Sequence, residues 1–174
     1  MMKQDTKQRM AESFRDFRLP RYQEIPDVGL YLEQAAKYIN NSLLPLGEPV
    51  LTGSMISNYV KKGLIASPQK KQYSRDQIAY LIFIAIAKSV MSLDALTIFL
   101  RLQQRTYPLG KAYDYFAREF EDLIAFTFEL SDTADMFPEI NSDEKRLLYT
   151  CIIAVVQKVY LEKSLEAIAS KTKE

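Results

Sequence analysis

Residues 51–76, LTGSMISNYVKKGLIASPQKKQYSRD, constrain this chain more than any other stretch. They read as a short helix, a glycine stop, a basic turn and the cap of a second helix. Within them stand five Lys or Arg residues and one acid, Asp76, at the last position. From Val50 to Arg75 there is no carboxylate, in a chain that is about one-eighth acidic. Thr52 is placed to cap a helix running to about Lys62. One face of that helix carries Met55, Ile56, Tyr59 and Val60. The other carries Ser54, Ser57, Asn58, Lys61 and Lys62, with 54, 57, 58 and 61 at i, i+3, i+4 and i+7. An apolar face anchors such a helix, and the opposite side chains suit nucleic acid: Asn pairs with adenine, Lys with guanine or phosphate, Ser with either. An ordinary surface helix would show a similar polar face, and the missing acids are what argue for an anionic partner.

Gly63 reads as a left-handed C-cap. Leu64 and Ile65 are expected to start a short strand, Pro68 to turn the chain, and Lys70, Lys71 and Tyr73 to return, making a small basic wing. Ser74 and Gln77 spell a capping box, S-x-x-Q, for a helix from Arg75 to about residue 89. In it Ile78, Leu81, Ile82, Ala85 and Ile86 form one apolar face, and Phe83 and Ile84 imply burial on more than one side.

Composition narrows the chemistry. There is no histidine and one cysteine, Cys151. That removes Ser-His and Cys-His nucleophile pairs, an intrachain disulfide and a thiolate metal cluster. No acid/base carboxylate pair, metal-ligand spacing or phosphate-cradling glycine loop stands out, so the chain reads as a non-enzyme without cofactor or metal. Net charge is +1, but residues 1–105 carry +6 and residues 106–174 carry −5, which directs an anionic partner to the front half. No apolar run reaches about 18 residues and the N-terminus lacks a signal-peptide core, so no membrane segment and a cytoplasmic location are expected.

The remaining chain reads as helices. Met10, Phe14 and Phe17 make a short amphipathic pattern in an N-terminal arm, residues 1–21, with Arg9, Arg15, Arg18 and Arg21 around it. This is either a phosphate-touching arm or, better in view of Asp5, Glu12 and Asp16, a solvated helix docked by its phenylalanines. Pro20 and Pro26 bracket a link; Asp27 is a candidate N-cap for a helix to about Leu44, apolar at Val28, Tyr31, Leu32, Ala35, Ala36, Ile39 and Leu43. Pro45, Gly47 and Pro49 end it in an irregular link. Ser92 caps a helix with Leu93, Leu96, Phe99 and Leu100 on its apolar face. A helix over 111–130 holds six aromatics (Tyr113, Tyr115, Phe116, Phe120, Phe126, Phe128), which fill a core or interface more readily than they line an effector pocket. A loop follows over 131–141, and Ser142 opens a last long helix with a stripe from Leu147 to Tyr160 that includes Cys151 as a packing residue. The tail after Ile168 is expected to fray.

ISNYVKKGLI, the wing, YSRDQIAYLIFI and SVMSLDAL together resemble the DNA-binding domain of MerR-type regulators. In that family a helix of the form L-R-Y-Y-E-x-x-G-L-I leads into a basic wing, then a Tyr-Ser/Thr-opened helix with L-x-F-I, then a helix beginning S-L-x-x-I. Ile56, Tyr59, Gly63, Leu64 and Ile65 fill the first set; Tyr73, Ser74, Leu81, Phe83 and Ile84 the second; Ser92, Leu93 and Leu96 the third. Ser57 and Asn58 stand where the family has Arg and its first Tyr, the link before the helix is longer, the wing is shorter, and no cysteine array exists. LPRYQEIPDVGLYLEQ with LTGSMISNYV also resembles the bacterial family called domain of unknown function 1836, over most of residues 19–120.

The expectation is an all-α protein: a helical arm (1–21), a MerR-like winged helix-turn-helix with at most a tiny β-wing (22–105), and a C-terminal helical dimerisation or effector region (106–174). The resemblance implies a homodimeric transcriptional regulator on double-stranded DNA. Its expected contacts are Ser54, Ser57, Asn58 and Lys61 towards bases and Lys62, Lys70, Lys71 and Arg75 on phosphates, with Tyr73 also counted in the DNA-binding set. Four to five neutralised phosphates predict a log–log salt slope of about −4. The competing reading is a helical protein–protein adaptor whose basic face meets an acidic protein.

Overall fold

The computed structural model describes residue 2 and residues 4–47, 51–132 and 138–171. Pro49 of the expected link, residues 133–137 of the expected loop and the end of the expected fraying tail lie outside the described residues. Among the described residues the chain forms seven helices and one two-stranded sheet: α1 Gln4–Glu12, β1 Leu30–Tyr31, α2 Leu32–Ser42, α3 Gly53–Lys61, β2 Gln72–Tyr73, α4 Arg75–Ala87, α5 Leu93–Thr106, α6 Leu109–Thr127 and α7 Asp143–Lys171. The class is all-α. No helix among the described residues is long and apolar enough to cross a membrane. The chain divides into two compact units, Leu19–Ala117 and Met1–Arg18 with Arg118–Glu174, and the boundary falls inside α6.

In the unit Leu19–Ala117, α4 is the core helix. Every residue from Gln77 to Ala87 except Tyr80 is buried, which follows from a helix apolar in all directions. Its capping box forms as spelled: the Ser74 N–H donates to Gln77 Oε1 (2.8 Å) and the Gln77 N–H to Ser74 Oγ (3.4 Å). Ser92 caps α5 through the Ala95 N–H (3.2 Å). Phe83 stacks on Phe99 (5.3 Å between centroids) and meets Phe116 edge-on (5.1 Å), so the first half of the aromatic helix is core here.

The helix expected with Asp27 as its N-cap starts four residues later, with Tyr31 in the N-cap position. Gly29 takes φ +78°, Leu30–Tyr31 run extended as β1, and α2 begins at Leu32. Val28, expected on the apolar face, is 82 % exposed. The helical spacing of Val28 and Tyr31 was coincidental: a left-handed glycine cannot continue a right-handed helix. Asp27 caps nothing and instead stands 3.8 Å from Arg75. Beyond α2, the side chain of Asn40 clamps the link to α3, donating to the Leu51 carbonyl (2.7 Å) and accepting from the Leu51 N–H (2.9 Å). With Leu43 and Leu51 buried, the end of the proline-rich link is pinned to α2 rather than loose.

In the other unit α1 buries Thr6 and Met10. Phe14 packs on Phe128 (4.4 Å between centroids), Phe17 on Phe120 (6.0 Å) and Phe128 on Tyr160 (5.5 Å). The arginines nearby are neutralised on their own helix or turn, Arg9 by Asp5 (3.1 Å) and Arg15 by Glu12 (2.6 Å). α7 starts at the Ser142 cap (Lys145 N–H to Ser142 Oγ, 3.2 Å) and buries Cys151, Ile152, Val155, Val156 and Val159. α6 ends in a left-handed turn at Glu129 (φ +58°), with the Leu130 N–H on the Ala125 carbonyl (2.8 Å), a role usually given to glycine.

Candidate nucleic-acid interface

The candidate surface begins with α3. The Thr52 hydroxyl accepts from the Met55 N–H (3.2 Å), which sets the helix start. Ile56 and Tyr59 are buried and hold the helix down; Ser54, Ser57, Asn58, Lys61 and Lys62 are exposed. Met55, read as part of the anchoring face, lies at its edge, where the Lys88 ammonium reaches its sulfur (3.7 Å). Gly63 (φ +75°) then closes a Schellman turn: its N–H bonds the Val60 carbonyl (3.0 Å) and the Leu64 N–H bonds that of Tyr59 (2.9 Å).

The wing differs from expectation. Leu64 and Ile65 form no strand; both are buried, and their side chains anchor the turn instead. β2 finds its partner in β1, antiparallel, with Leu30 opposite Tyr73 and Tyr31 opposite Gln72. Within the hairpin the Gln72 N–H bonds the Gln69 carbonyl (2.8 Å) and the two central residues, Lys70 (φ 49°) and Lys71 (φ 64°), are both left-handed. This is a type I′ turn, normally built from Asn and Gly. Two consecutive lysines in that region cost about 1–2 kcal/mol each relative to residues that enter it freely.

Seven of the nine expected contact residues are therefore solvent-facing: Ser54, Ser57, Asn58, Lys61 and Lys62 on or just beyond α3, and Lys70 and Lys71 at the hairpin tip. Among the described residues none of these seven side chains makes an ion pair or hydrogen bond. The other two turn inward. Tyr73 is 4 % exposed, because the alternation of β2 points it into the core, and burial raises its hydroxyl pKa. Arg75 is committed within the protein: its guanidinium donates to the Ile25 carbonyl (2.9 Å), Gln23 Oε1 (3.2 Å) and the Gln23 carbonyl (3.4 Å), and lies 5.5 Å from the Tyr22 ring centre. Its side chain keeps 19 % exposure. It ties the loop over 22–27 to the start of α4, and its donors are engaged within the protein.

The Tyr22 ring is held as firmly. Its hydroxyl donates to Asp76, its N–H to Asp114 Oδ1 (2.7 Å), and a side chain at Gly110 would crowd it at 3.0 Å. The hydrogen bond to Asp76, then burial, then the Asp76 charge push the Tyr22 hydroxyl up to about 12.

Two features were invisible in the segment itself. A β-carbon at Gly53 would stand 2.8 Å from Glu33 Oε1, so a carboxylate from α2 approaches the first residue of α3 although none exists between 50 and 75 in sequence. And β1 brings Tyr31, 52 % exposed, across from Gln72 at the base of the lysine turn. Beneath the hairpin an open cleft of about 700 Å³ is lined by Gln69, Gln72, Asp76, Gln77, Tyr80 and Gln104 over an apolar floor of Val60 and Leu64.

Compared with known proteins, residues 20–116, more than half of the chain, match the model of a family described as "Domain of unknown function (DUF1836)". The matched span is almost the compact unit Leu19–Ala117. No curated protein and no solved structure matches the chain.

Proposed function

The chain belongs to the DUF1836 family, and from that premise we propose that it is a sequence-specific DNA-binding protein, a transcriptional regulator of MerR-like winged helix-turn-helix type. In this reading α3 enters the major groove with Ser54, Ser57, Asn58 and Lys61 towards base edges. Lys62, Lys70 and Lys71 hold phosphates and set the register. The observation that carries the reading is the hairpin tip, two adjacent lysines held left-handed and without partners, in the same unit as an α3 face of unpaired small polar and basic side chains. Strain at a solvent-exposed tip, with nothing in the fold that requires lysine there, points to selection for what the tip touches.

Removing Arg75 from the phosphate set lowers the expected salt dependence. Three phosphates per protomer give a log–log slope of about −3. Charge reversal at Lys70 and Lys71 together should weaken all duplexes alike; unchanged binding in Lys70→Glu/Lys71→Glu contradicts the wing assignment.

Dimerisation belongs to the proposal, because proteins docked by one recognition helix commonly bind two half-sites as dimers. What supports it is the outer face of α7. Leu147, Ala154, Leu161 and Ile168 recur every seven residues on the side opposite the buried stripe, and together with Leu165 they are exposed. The ring pairs of Phe116, Phe120 and Phe128 support a core role for α6 over an effector pocket. The competing reading, a protein–protein adaptor, draws its support from Glu33, which places a negative charge at the start of α3. A mobility-shift assay on random duplexes at low salt separates the two: no shifted, enrichable complex favours the adaptor.

A further inference from the structure

The hairpin that carries Lys70 and Lys71 is completed by a strand from another part of the chain, and that strand brings an aromatic with it. β1 pairs Tyr31 with Gln72, the residue that follows Lys71. Alternation along β2 sends Tyr73 into the core and Gln72 outwards, so Tyr31, opposite Gln72, stands on the outer face. The exposures agree: Tyr73 4 %, Tyr31 52 %. Gln72 is folded against Gly29, where a β-carbon would meet its side chain at 3.0–3.3 Å, and the position of β1 against the hairpin is thereby fixed. The Tyr31 N–H donates to Gln34 Oε1 (3.0 Å), which also holds its backbone as the residue before α2. Among the described residues its hydroxyl has no hydrogen-bond partner. The result is an exposed phenol on a strand whose backbone is held opposite Gln72, the residue that follows the two unpaired lysines.

We infer that Tyr31 is a direct nucleic-acid contact, its hydroxyl donating to a phosphate oxygen of the strand held by Lys70 and Lys71. The inference rests on the DNA-binding reading above. The chemistry is specific. A tyrosine hydroxyl is a neutral donor to phosphate, so it adds affinity without releasing a counterion. A lysine at the same surface adds affinity and steepens the salt dependence. A base contact would instead discriminate between sequences.

The test uses the full chain and its selected duplex, measuring affinity across a salt series by fluorescence anisotropy, with Tyr31→Phe and Lys70→Ala compared. The expected result for Tyr31→Phe is binding about five- to tenfold weaker on every duplex, with an unchanged log–log slope, whereas Lys70→Ala lowers the slope by about 1. Thermal melting of Tyr31→Phe should match the parent, since an exposed hydroxyl without a partner contributes nothing to the fold. Parent-level affinity in Tyr31→Phe overturns the inference and leaves the DNA-binding reading intact. A loss confined to some sequences overturns the phosphate assignment in favour of base contact. A parent chain without salt-dependent duplex binding removes the reading and this inference with it.

Discussion

Lys70 and Lys71 show how a stability cost can mark a surface. A type I′ turn accepts Asn-Gly with little strain, so Lys70→Asn/Lys71→Gly should stabilise the fold by about 2–4 kcal/mol, read as a higher urea midpoint at unchanged slope. The same variant should bind duplex DNA more weakly, with a salt slope smaller by about 2. A more stable variant that binds as well as the parent would mean the strain serves something else. Cys151 is a different kind of residue. Burial pushes its thiol up from 9.0 to about 11. The folded chain holds the proton to about pH 11 while the unfolded chain releases it near pH 9. The stability contributed by the neutral thiol is thus complete below pH 9 and lost as pH rises through 11. Cys151→Ala should therefore lose less stability than the parent between pH 8 and pH 10, by about 1 kcal/mol, measured by urea denaturation at both values.

At the scale of elements, Gly63 is the sharpest test of how α3 is delivered to the surface. Its φ of +75° suits glycine, and a β-carbon there would meet nothing within 4 Å. Gly63→Ala should cost about 1 kcal/mol through backbone strain alone, with Gly63→Asn in between, both read from denaturation midpoints. This stop, the Thr52 and Ser74 caps, the Ser92 and Ser142 caps and the all-round burial of α4 were legible in sequence, because each is a local rule written within a few residues. The hairpin was not. Val28, Tyr31 and Leu32 share a helical spacing, and only the pairing of Leu30 with Tyr73 and of Tyr31 with Gln72, partners far apart in sequence, shows that Tyr31 is extended and that Val28 lies before the strand. The same long-range geometry decides the site. A basic residue near a wing reads as a phosphate ligand until the structure shows Arg75 spent on the carbonyls of Gln23 and Ile25. Glu33 and Tyr31 reach the surface from outside the segment that sequence singles out. Arg75→Ala should accordingly lower stability by about 1–3 kcal/mol, since it removes the hydrogen bonds to the Ile25 and Gln23 carbonyls, while leaving the salt slope of DNA binding unchanged.

For the whole molecule, two divisions of the chain coincide. The family match over residues 20–116 and the compact unit Leu19–Ala117 isolate nearly the same segment, and the proposed DNA surface lies entirely within it. The remaining helices carry the acidic excess of the chain and, on α7, an exposed heptad stripe suited to a second copy. Charge introduced on that stripe, Leu161→Glu/Leu165→Glu, should convert a dimer to a monomer in sedimentation and weaken binding to a two-half-site duplex more than to a single half-site. The central claim, that α3 and the lysine hairpin read duplex DNA, meets its most direct test in selection from a random duplex pool by the full chain, followed by sequencing. The account predicts enrichment of one motif, repeated as two half-sites spaced by about one helical turn or a multiple of it, and loss of enrichment in Ser57→Ala/Asn58→Ala. A pool that emerges without any enriched motif at low salt would contradict it.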